Sequence, residues 1–301
     1  MINYKILKLY KKIIPKKLAE KISIWRNAGG LNTIRREIIS YYEARPAEMN
    51  FEIQEALLYL RKHPISIFPY LFPRNYHSSE ILVHFDSRRG LNYVMHDGKK
   101  LYFKRSMNTK QVKEYYNSLR IEQDSESPHK YITETFNVKL GEIVADIGSA
   151  EGIFGLSIIE NAGKLFLFEN DKEWVEALEA TFSPWGSKVY IINKSISNTN
   201  NSDHITLDYF AKEQSVIFDL IKIDVDGGEY KVLEGCHQIL SSSQKPKISI
   251  CTYHKGGDES MFRDFFSKYD IKVENSRGYM IFIYENPKSA PYLRRGLLRS
   301  I

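Results

Sequence analysis

Residues 143–155 combine an apolar run, an acidic residue and a glycine-rich turn ahead of a helical apolar pattern. Asp146 lies near the end of the run, and Gly148, Ser149 and Gly152 lie in the turn. Glycine lets the backbone approach a ligand because it has no Cβ and accepts positive φ. Dinucleotide folds place G-x-G-x-x-G against a pyrophosphate, whereas Asp146 stands here at the first glycine. A carboxylate repels pyrophosphate but can hold a cation, so the turn favours S-adenosylmethionine over the alternative of a ligand-free strand-to-helix turn.

A second apolar run at residues 164–168 is followed by Glu169 and Asn170. Glu169 lies 23 positions after Asp146, close to the roughly 20 positions at which α/β nucleoside sites place the acceptor of ribose hydroxyls. A carboxylate can accept hydrogen bonds from both vicinal hydroxyls at once. The joint spacing favours a ribose site at Glu169 and Asn170 over a solvated strand end.

Charged residues are dense after the apolar strand predicted at residues 219–224. Lys222 and Asp224 interrupt the run, and Asp226 and Glu229 follow with two glycines between them. Carboxylates in this number predict one of two roles. Asp224 and Asp226 bind a hard cation such as Mg²⁺, or the carboxylates orient an acceptor hydroxyl. A helix start decorated with acids is the alternative, and it accounts for Glu229 but not for Lys222 or Asp224.

The next predicted strand, residues 247–252, leads to His254. Carboxyl ends of parallel strands meet at one edge of a sheet, so His254 and Asp224 are expected at the same edge. Imidazole is a natural base for a hydroxyl proton. We predict His254 or Asp224 as the base, with Lys222 as a third catalytic residue; a solvated or structural histidine is the alternative.

Strands and helices alternate from residue 141 onward, which predicts a parallel sheet with helices on both faces. The predicted fold is α/β, a Rossmann-like seven-stranded methyltransferase sheet that ends in a C-terminal β-hairpin, with its strands at 271–274 and 279–284. A mostly helical N-terminal region precedes it. That region carries an Asp97-Gly98 turn between two alternating runs, which indicates a two-residue hairpin. We divide the chain into an N-terminal region at 1–135, a methyltransferase domain at 136–288 and a basic tail at 289–301.

Composition limits the function classes. The chain of 301 residues has a net charge of +6 and only two cysteines, Cys236 and Cys251, whose spacing matches no zinc pattern. No apolar run reaches the roughly 18 residues that span a bilayer, so we expect a cytoplasmic protein. Residues 1–21 are rich in lysine; such a helix lies on the inner membrane face or packs on the domain with its lysines solvated. No nucleic-acid-binding motif is present, and oligomeric state is left open.

Several blocks together resemble the FkbM family of S-adenosylmethionine-dependent methyltransferases. They lie at residues 143–148, 168–170, 206–208, 221–229 and 233–235. The resemblance covers about 141–285 and implies a Rossmann-like enzyme that methylates a hydroxyl oxygen of a sugar or a polyketide-like acceptor. Asp226 and Gly228 depart from the glutamate and alanine usual there. Residues 122–129 and 253–255 are similar to a bacterial branch of the family.

The predicted function is O-methyl transfer to a sugar, a glycan or a related small molecule, as in polysaccharide biosynthesis. The alternative is a catalytically retired protein that keeps the S-adenosylmethionine fold and serves as a scaffold at a membrane or an assembly. The loop spacing disfavours a nicotinamide-dependent oxidoreductase. We expect the N-terminal region, up to about residue 135, to help shape the acceptor site.

Overall fold

The computed structural model describes residues 30–283 and 290–301. The lysine-rich segment 1–21 and its predicted membrane contact lie outside the described residues. Within the described part, no helix combines the length and the apolar character that a membrane span requires.

The N-terminal part contains helices, a small antiparallel sheet and a long helix before the main sheet. Its elements are α1 (Leu31–Glu43), α2 (Phe51–Lys62), β1 (His84–Asp86), β2 (Leu91–His96), β3 (Lys99–Tyr102) and α3 (Thr109–Glu122). Local sequence sets their ends: the Asn50 side chain caps α2, and Asn108 forms a capping box with Gln111 at α3. The predicted hairpin at Asp97-Gly98 is confirmed, with φ of 48° and 76° in the turn.

The second part alternates strands and helices as the sequence predicts. Its elements are β4 (Ile143–Ile147), α4 (Ile153–Ile158), β5 (Lys164–Phe168), α5 (Lys172–Phe182), β6 (Val189–Ile192), β7 (Ser195–Ile196), β8 (His204–Ile205), α6 (Leu207–Glu213), β9 (Leu220–Ile223), α7 (Glu229–Glu234), α8 (His237–Ser241), β10 (Lys247–Cys251), α9 (Asp258–Ser267), β11 (Val273–Asn275), β12 (Met280–Ile281), β13 (Leu293–Arg294) and β14 (Leu297–Ser300). Short 3₁₀ turns lie at Pro46–Glu48, Phe72–Asn75, Ser78–Glu80 and Ser183–Lys188.

Seven strands form one mixed sheet in the order β11-β14-β10-β9-β4-β5-β6. Strand β14 runs antiparallel to both of its neighbours, and the pairs from β10 to β6 are parallel. This arrangement confirms the predicted α/β class and the seven-stranded sheet. It also puts the carboxyl ends of β4, β5, β9 and β10 at one edge, which we call the rim.

The C-terminal strands pair differently from the predicted hairpin. Strand β11 pairs with β14 rather than with residues 279–284, and β12 pairs with β13 in a separate small sheet. Residues 297–300, which the sequence suggested as part of a basic tail, lie inside the main sheet. Leu297 and Leu298 explain the difference, because each is fully buried against an opposite face of the sheet.

Two hydrophobic cores cover the two faces of the main sheet. Alternate residues along each strand enter opposite cores: Val144 enters the first, and Ala145 and Ile147 enter the second. The first core is completed by α4 and α5 together with side chains from the N-terminal part, such as Leu101 and Leu119. It therefore crosses the predicted boundary between residues 135 and 136.

A third core joins the N-terminal helices to the end of the chain. Buried side chains of α1 and α2 pack there against Ile281, Tyr292 and Leu293. Glu52 on α2 also pairs with Arg295 at 2.7 Å and accepts a hydrogen bond from the backbone N–H of Gly278. Helices α1 and α2 are thus tied to the strands that follow the last βα unit.

Candidate active site

The glycine turn after β4 is held by contacts within the protein. Gly148 has φ of 77°, and a Cβ there would lie 1.8 Å from the backbone oxygen of Asp224. Its N–H and that of Ser149 both donate to the Phe168 carbonyl, while the Ser149 hydroxyl donates to the Asp146 carbonyl at 2.8 Å. Only glycine fits at position 148, because the turn lies against the backbone of Asp224, the residue that follows β9.

Gly152 has a different reason to be glycine. It begins α4 with φ of 86°, and an added Cβ would lie 2.6 Å from the Leu178 side chain and 2.7 Å from that of Phe182. Both side chains belong to α5 and the first core. Glycine at this position therefore lets α4 and α5 pack closely. The spacing of the glycines in the sequence did not reveal this packing role.

Asp146 and Lys222 lie opposite each other on neighbouring strands and form a buried ion pair. Their Cα atoms are register partners in the β4–β9 ladder, and Lys222 Nζ lies 3.0 Å from Asp146 Oδ1. Lys222 Nζ also donates to the Gly148 carbonyl at 2.6 Å. Burial opposes the charge on Lys222, but Asp146 and Asp224 hold its pKa above the ordinary value.

This pair gives the Asp146 carboxylate a partner within the protein. The cation beside that carboxylate is Lys222 from the protein itself, so Asp146 supports the turn from beneath instead of presenting its charge to a ligand. Lys222 in turn is committed to Asp146 and to the turn, which makes it a positioning residue.

Glu169 joins the glycine turn to the end of β5. One carboxylate oxygen accepts a hydrogen bond from the Ala150 N–H at 2.9 Å, and the other accepts one from the Asp171 N–H at 2.8 Å. Burial raises its pKa. A carboxylate offers about four lone-pair sites, so each oxygen keeps one for a ligand hydroxyl. Asn170 is exposed and donates to the Ser195 hydroxyl, beside the same strand end.

Two further carboxylates lie at the rim, and sequence reasoning did not assign either of them. Glu151 is buried in the glycine turn and accepts a hydrogen bond from the Tyr115 hydroxyl at 2.8 Å. Burial raises its pKa to about 7. Glu122 ends α3; burial, with the charges of Glu151 and Asp224, raises its pKa to about 8. Glu151 lay within the glycine motif, and Glu122 began the polar segment 122–129, so both signals were present.

Asp224 is the centre of a polar cluster built from three parts of the chain. Its Oδ2 accepts a hydrogen bond from the Tyr131 hydroxyl at 2.6 Å and lies 3.7 Å from His129 Nε2. His129 Nε2 is also 3.0 Å from the Tyr253 hydroxyl. Burial resists ionisation, but Lys222, His254 and His129 hold the pKa of Asp224 well below its ordinary value. Asp224 is therefore an anion that neighbours orient.

His129 and Tyr131 were not predicted as site residues. They come from the loop between α3 and β4, far from Asp224 in sequence, and only the resemblance of residues 122–129 to a family branch marked the region. His129 is buried, and burial lowers its pKa to about 4. At neutral pH it is an uncharged imidazole.

His254 reaches the rim beside Asp224, as predicted. Its Nδ1 lies 2.8 Å from Glu229 Oε1, and its Nε2 lies 3.7 Å from Asp224 Oδ1. Burial lowers the pKa of His254, but the hydrogen bond to Glu229 and the charges of Glu229 and Asp224 raise it to about 9. His254 is thus protonated at neutral pH, which disfavours it as the base.

Asp226 does not join Asp224 in a common binding site. Its side chain is 93% exposed, and its Oδ1 lies 3.6 Å from His254 Nε2. The Glu229 carboxylate is turned inward instead, where Oε1 accepts hydrogen bonds from the N–H groups of Val225 and Gly227. The predicted Mg²⁺ pair of Asp224 and Asp226 therefore gains no support from this geometry.

Comparison with known families matches residues 93–280 to the Methyltransferase FkbM domain. The match covers more than half of the chain. The protein belongs to the FkbM methyltransferase family. The resemblance stated from the sequence is confirmed, and the matched region extends further toward the N-terminus than the predicted domain, to include β3 and α3.

Several of the solved structures similar to this FkbM-family protein carry a methylase or methyltransferase name. An rRNA methylase from Streptococcus thermophilus is 12% identical with a TM-score of 0.36, and the match covers 54% of this chain and 86% of that one. A precorrin-6Y C5,15-methyltransferase from Geobacter metallireducens is 10% identical with a TM-score of 0.40, covering 69% and 94%. No curated protein matches the chain. At such low scores, the family match carries the assignment.

Proposed function

We propose that this FkbM-family protein uses S-adenosylmethionine to methylate a hydroxyl oxygen of a sugar or glycan acceptor. The observation that carries the proposal is the convergence of the glycine turn, Glu169 and Asp224 at adjacent strand ends of the rim. The Ala150 N–H links the turn to Glu169, and the tight approach at Gly148 links it to Asp224. A nucleoside site and an acceptor site would thus share one rigid frame.

The residues present fit S-adenosylmethionine. Glu169 would hold the ribose with the lone pairs that its backbone hydrogen bonds leave free, and Gly148 and Ser149 would shape the turn beneath it. Asp224 is ionised at this end of the sheet, and Glu122 and Glu151, whose pKa values burial raises to about 8 and about 7, would ionise more readily beside a sulfonium cation. When bound, the cofactor supplies an electrophilic methyl group.

Asp224 would orient the acceptor hydroxyl and take up its proton as the oxygen attacks the methyl group. Its carboxylate is ionised, is fixed by Tyr131 and lies at the rim. Tyr131, Tyr253 and Phe282 place aromatic rings near it, with the Tyr253 and Phe282 centroids 5.3 Å apart, and such rings suit the apolar faces of sugars. His254 would stay protonated and keep Glu229 and Asp224 in place. Alignment of two bound reactants would supply most of the rate increase.

Calorimetry with S-adenosylmethionine tests the cofactor site. Glu169→Ala should weaken binding by about 10–150-fold, the equivalent of losing charge-assisted hydrogen bonds of about 1.5–3 kcal/mol. Glu179→Gln changes an exposed carboxylate on α5 and serves as the matched control. Thermal melting of both variants without ligand separates loss of ribose contacts from loosening of the turn. Unchanged affinity in Glu169→Ala would contradict the ribose assignment.

Mass spectrometry of cell-envelope glycans tests the acceptor. A strain that lacks the gene should lose a methyl group from one glycan, and the wild-type gene should restore it. Asp224→Asn should restore about 10²–10⁴-fold less activity in vitro while it still binds the cofactor. Cofactor binding with no transfer to any glycan would instead favour the scaffold alternative.

A further inference from the structure

We propose that His129, Asp224 and Cys251 form a binding site for a borderline divalent cation such as Zn²⁺. His129 Nε2, a carboxylate oxygen of Asp224 and Cys251 Sγ all lie within 4.8 Å of one another. The three side chains come from the loop before β4, the residue after β9 and the last residue of β10. Imidazole, carboxylate and thiolate are the donor types that proteins use for zinc.

The spacing of the donors suits a single ion. His129 Nε2 lies 3.7 Å from Cys251 Sγ and 3.7 Å from Asp224 Oδ2. Zinc bonds of about 2.0–2.3 Å at tetrahedral angles would separate such donors by about 3.4–3.6 Å. Only a small inward movement is needed, and the histidine–aspartate separation is too long for a direct hydrogen bond.

The second cluster of metal-binding residue types at the rim does not share this property. Asp224, Glu229 and His254 also lie within 4.8 Å of one another. In that group, however, His254 and Glu229 already bond to each other at 2.8 Å, closer than two ligands of one ion would lie. Glu229 also holds the turn after β9 through two backbone N–H groups. Glu229 is therefore engaged both by His254 and by the turn, so the cation is assigned to the first cluster.

The surroundings favour a cation next to Asp224. The positive side chains around Asp224 pair more closely with other carboxylates, since Lys222 lies 3.0 Å from Asp146, and His254 lies 2.8 Å from Glu229 but 3.7 Å from Asp224. Tyr131 donates to Asp224 at 2.6 Å and would fix the ligand carboxylate from the outer shell. Cys251 and His129 are buried, which shields the site from bulk water.

Three protein ligands leave one position of a tetrahedral ion open, as in catalytic rather than structural zinc sites. An acceptor hydroxyl bound there would have a lower pKa and would release its proton to water, so a strong protein base would not be required. That use of the ion rests on the proposed function, whereas cation binding does not. The cysteine spacing in the sequence could not predict the site because each ligand comes from a different segment.

Cobalt titration of the full chain, first stripped with a chelator, tests the site. Co²⁺ should bind with one equivalent per chain and give a thiolate-to-metal charge-transfer band in the near ultraviolet, which Zn²⁺ displaces. Cys251→Ser should abolish the band. Cys236→Ser is the matched control, because Cys236 is also buried and its thiol donates to the Val232 carbonyl; it should keep the band.

His129→Gln provides a second variant in case Cys251→Ser does not fold. It should keep the sulfur band, because Cys251 is unchanged. Loss of an outer-shell partner weakens metal binding by about 10–100-fold, so loss of this ligand should weaken Co²⁺ binding at least as much. Circular dichroism checks the fold of each variant. The site is overturned if the wild-type chain binds no Co²⁺, if Cys251→Ser keeps the wild-type spectrum, or if Cys236→Ser loses it. Methyl transfer that is lost with a chelator and restored by Zn²⁺ would support a catalytic use of the ion. If the wild-type chain binds the metal but methyl transfer resists the chelator, the site stands and its catalytic use is rejected.

Discussion

Lys222 and Asp146 bring opposite charges together in the interior of the sheet, where neither side chain reaches water. Such a pair roughly balances its own desolvation cost while it is intact, but a single remaining charge would have no compensation. Because Lys222 also donates to the Gly148 carbonyl, the pair fixes the glycine turn as well as the strand register. At the scale of residues, the site therefore depends on ion pairing beneath the ligand surface.

Lys222→Met should lower the free energy of unfolding by about 3–5 kcal/mol, since it leaves the Asp146 carboxylate buried and unpaired. Arg61→Gln removes an exposed partner of Glu43 and should cost about 0–1 kcal/mol. Urea denaturation measures both variants. A double variant with Asp146→Asn should recover part of the loss, and equal costs for the two single variants would contradict the account.

Glu151 gives the stability a defined dependence on pH. Burial raises its pKa from 4.5 to about 7, so the folded state keeps the proton that the unfolded state releases. This group's contribution to stability is complete below about pH 4.5 and is lost as pH rises to about 7. Glu151→Gln should therefore gain stability relative to wild type across that interval. Glu160→Gln, at an exposed position, is the control; parallel stability curves for wild type and Glu151→Gln would refute the prediction.

The elements of the βα part were predictable because their signals are local. Strand β4, helix α5 and strand β10 follow continuous patterns of period 2 or 3.6 within a few residues. Strand β14 was missed because arginines and a glycine surround Leu297-Leu298, and its partners β10 and β11 lie far back in the chain. Helices α7 and α8 are separated at Gly235, where a Cβ would lie 2.2 Å from the Ser197 carbonyl oxygen. Tertiary contacts of this kind leave no periodic signal.

The turn after β4 joins the proposed cofactor and acceptor sides, and Gly148→Ala tests it. An alanine Cβ would clash with backbone at Asp224 and would add the strain of a positive φ. Gly257→Ala has a similar φ of 88° but meets nothing within 4 Å, so it should cost only about 1–2 kcal/mol. Gly148→Ala should cost about 1–3 kcal/mol more, as overpacking does, and should weaken cofactor binding. Chemical denaturation and calorimetry would show whether the two variants differ.

At the scale of the whole molecule, the site was predictable only where it follows single strands. Asp224, Glu169 and His254 could be predicted at the rim because each lies at or just after the end of an apolar run. His129, Tyr131 and Glu122 were missed because the fold carries them to the rim from a segment that precedes the sheet. The charge state of His254 also depends on Glu229 and Asp224 together, and no single motif contains that information.

The N-terminal part belongs to the same folded unit as the sheet, and a shortened chain tests this conclusion. Leu101, Phe103 and Leu119 share the first core with Leu156 and Leu178, so a variant that begins at residue 136 would expose a buried face of the sheet. We expect it to lose cooperative unfolding and cofactor binding together, rather than transfer alone. Size-exclusion chromatography, thermal melting and calorimetry with S-adenosylmethionine would measure these changes. A monomeric, cooperatively folded fragment with wild-type affinity would contradict this conclusion, because cofactor binding would then not need residues 1–135.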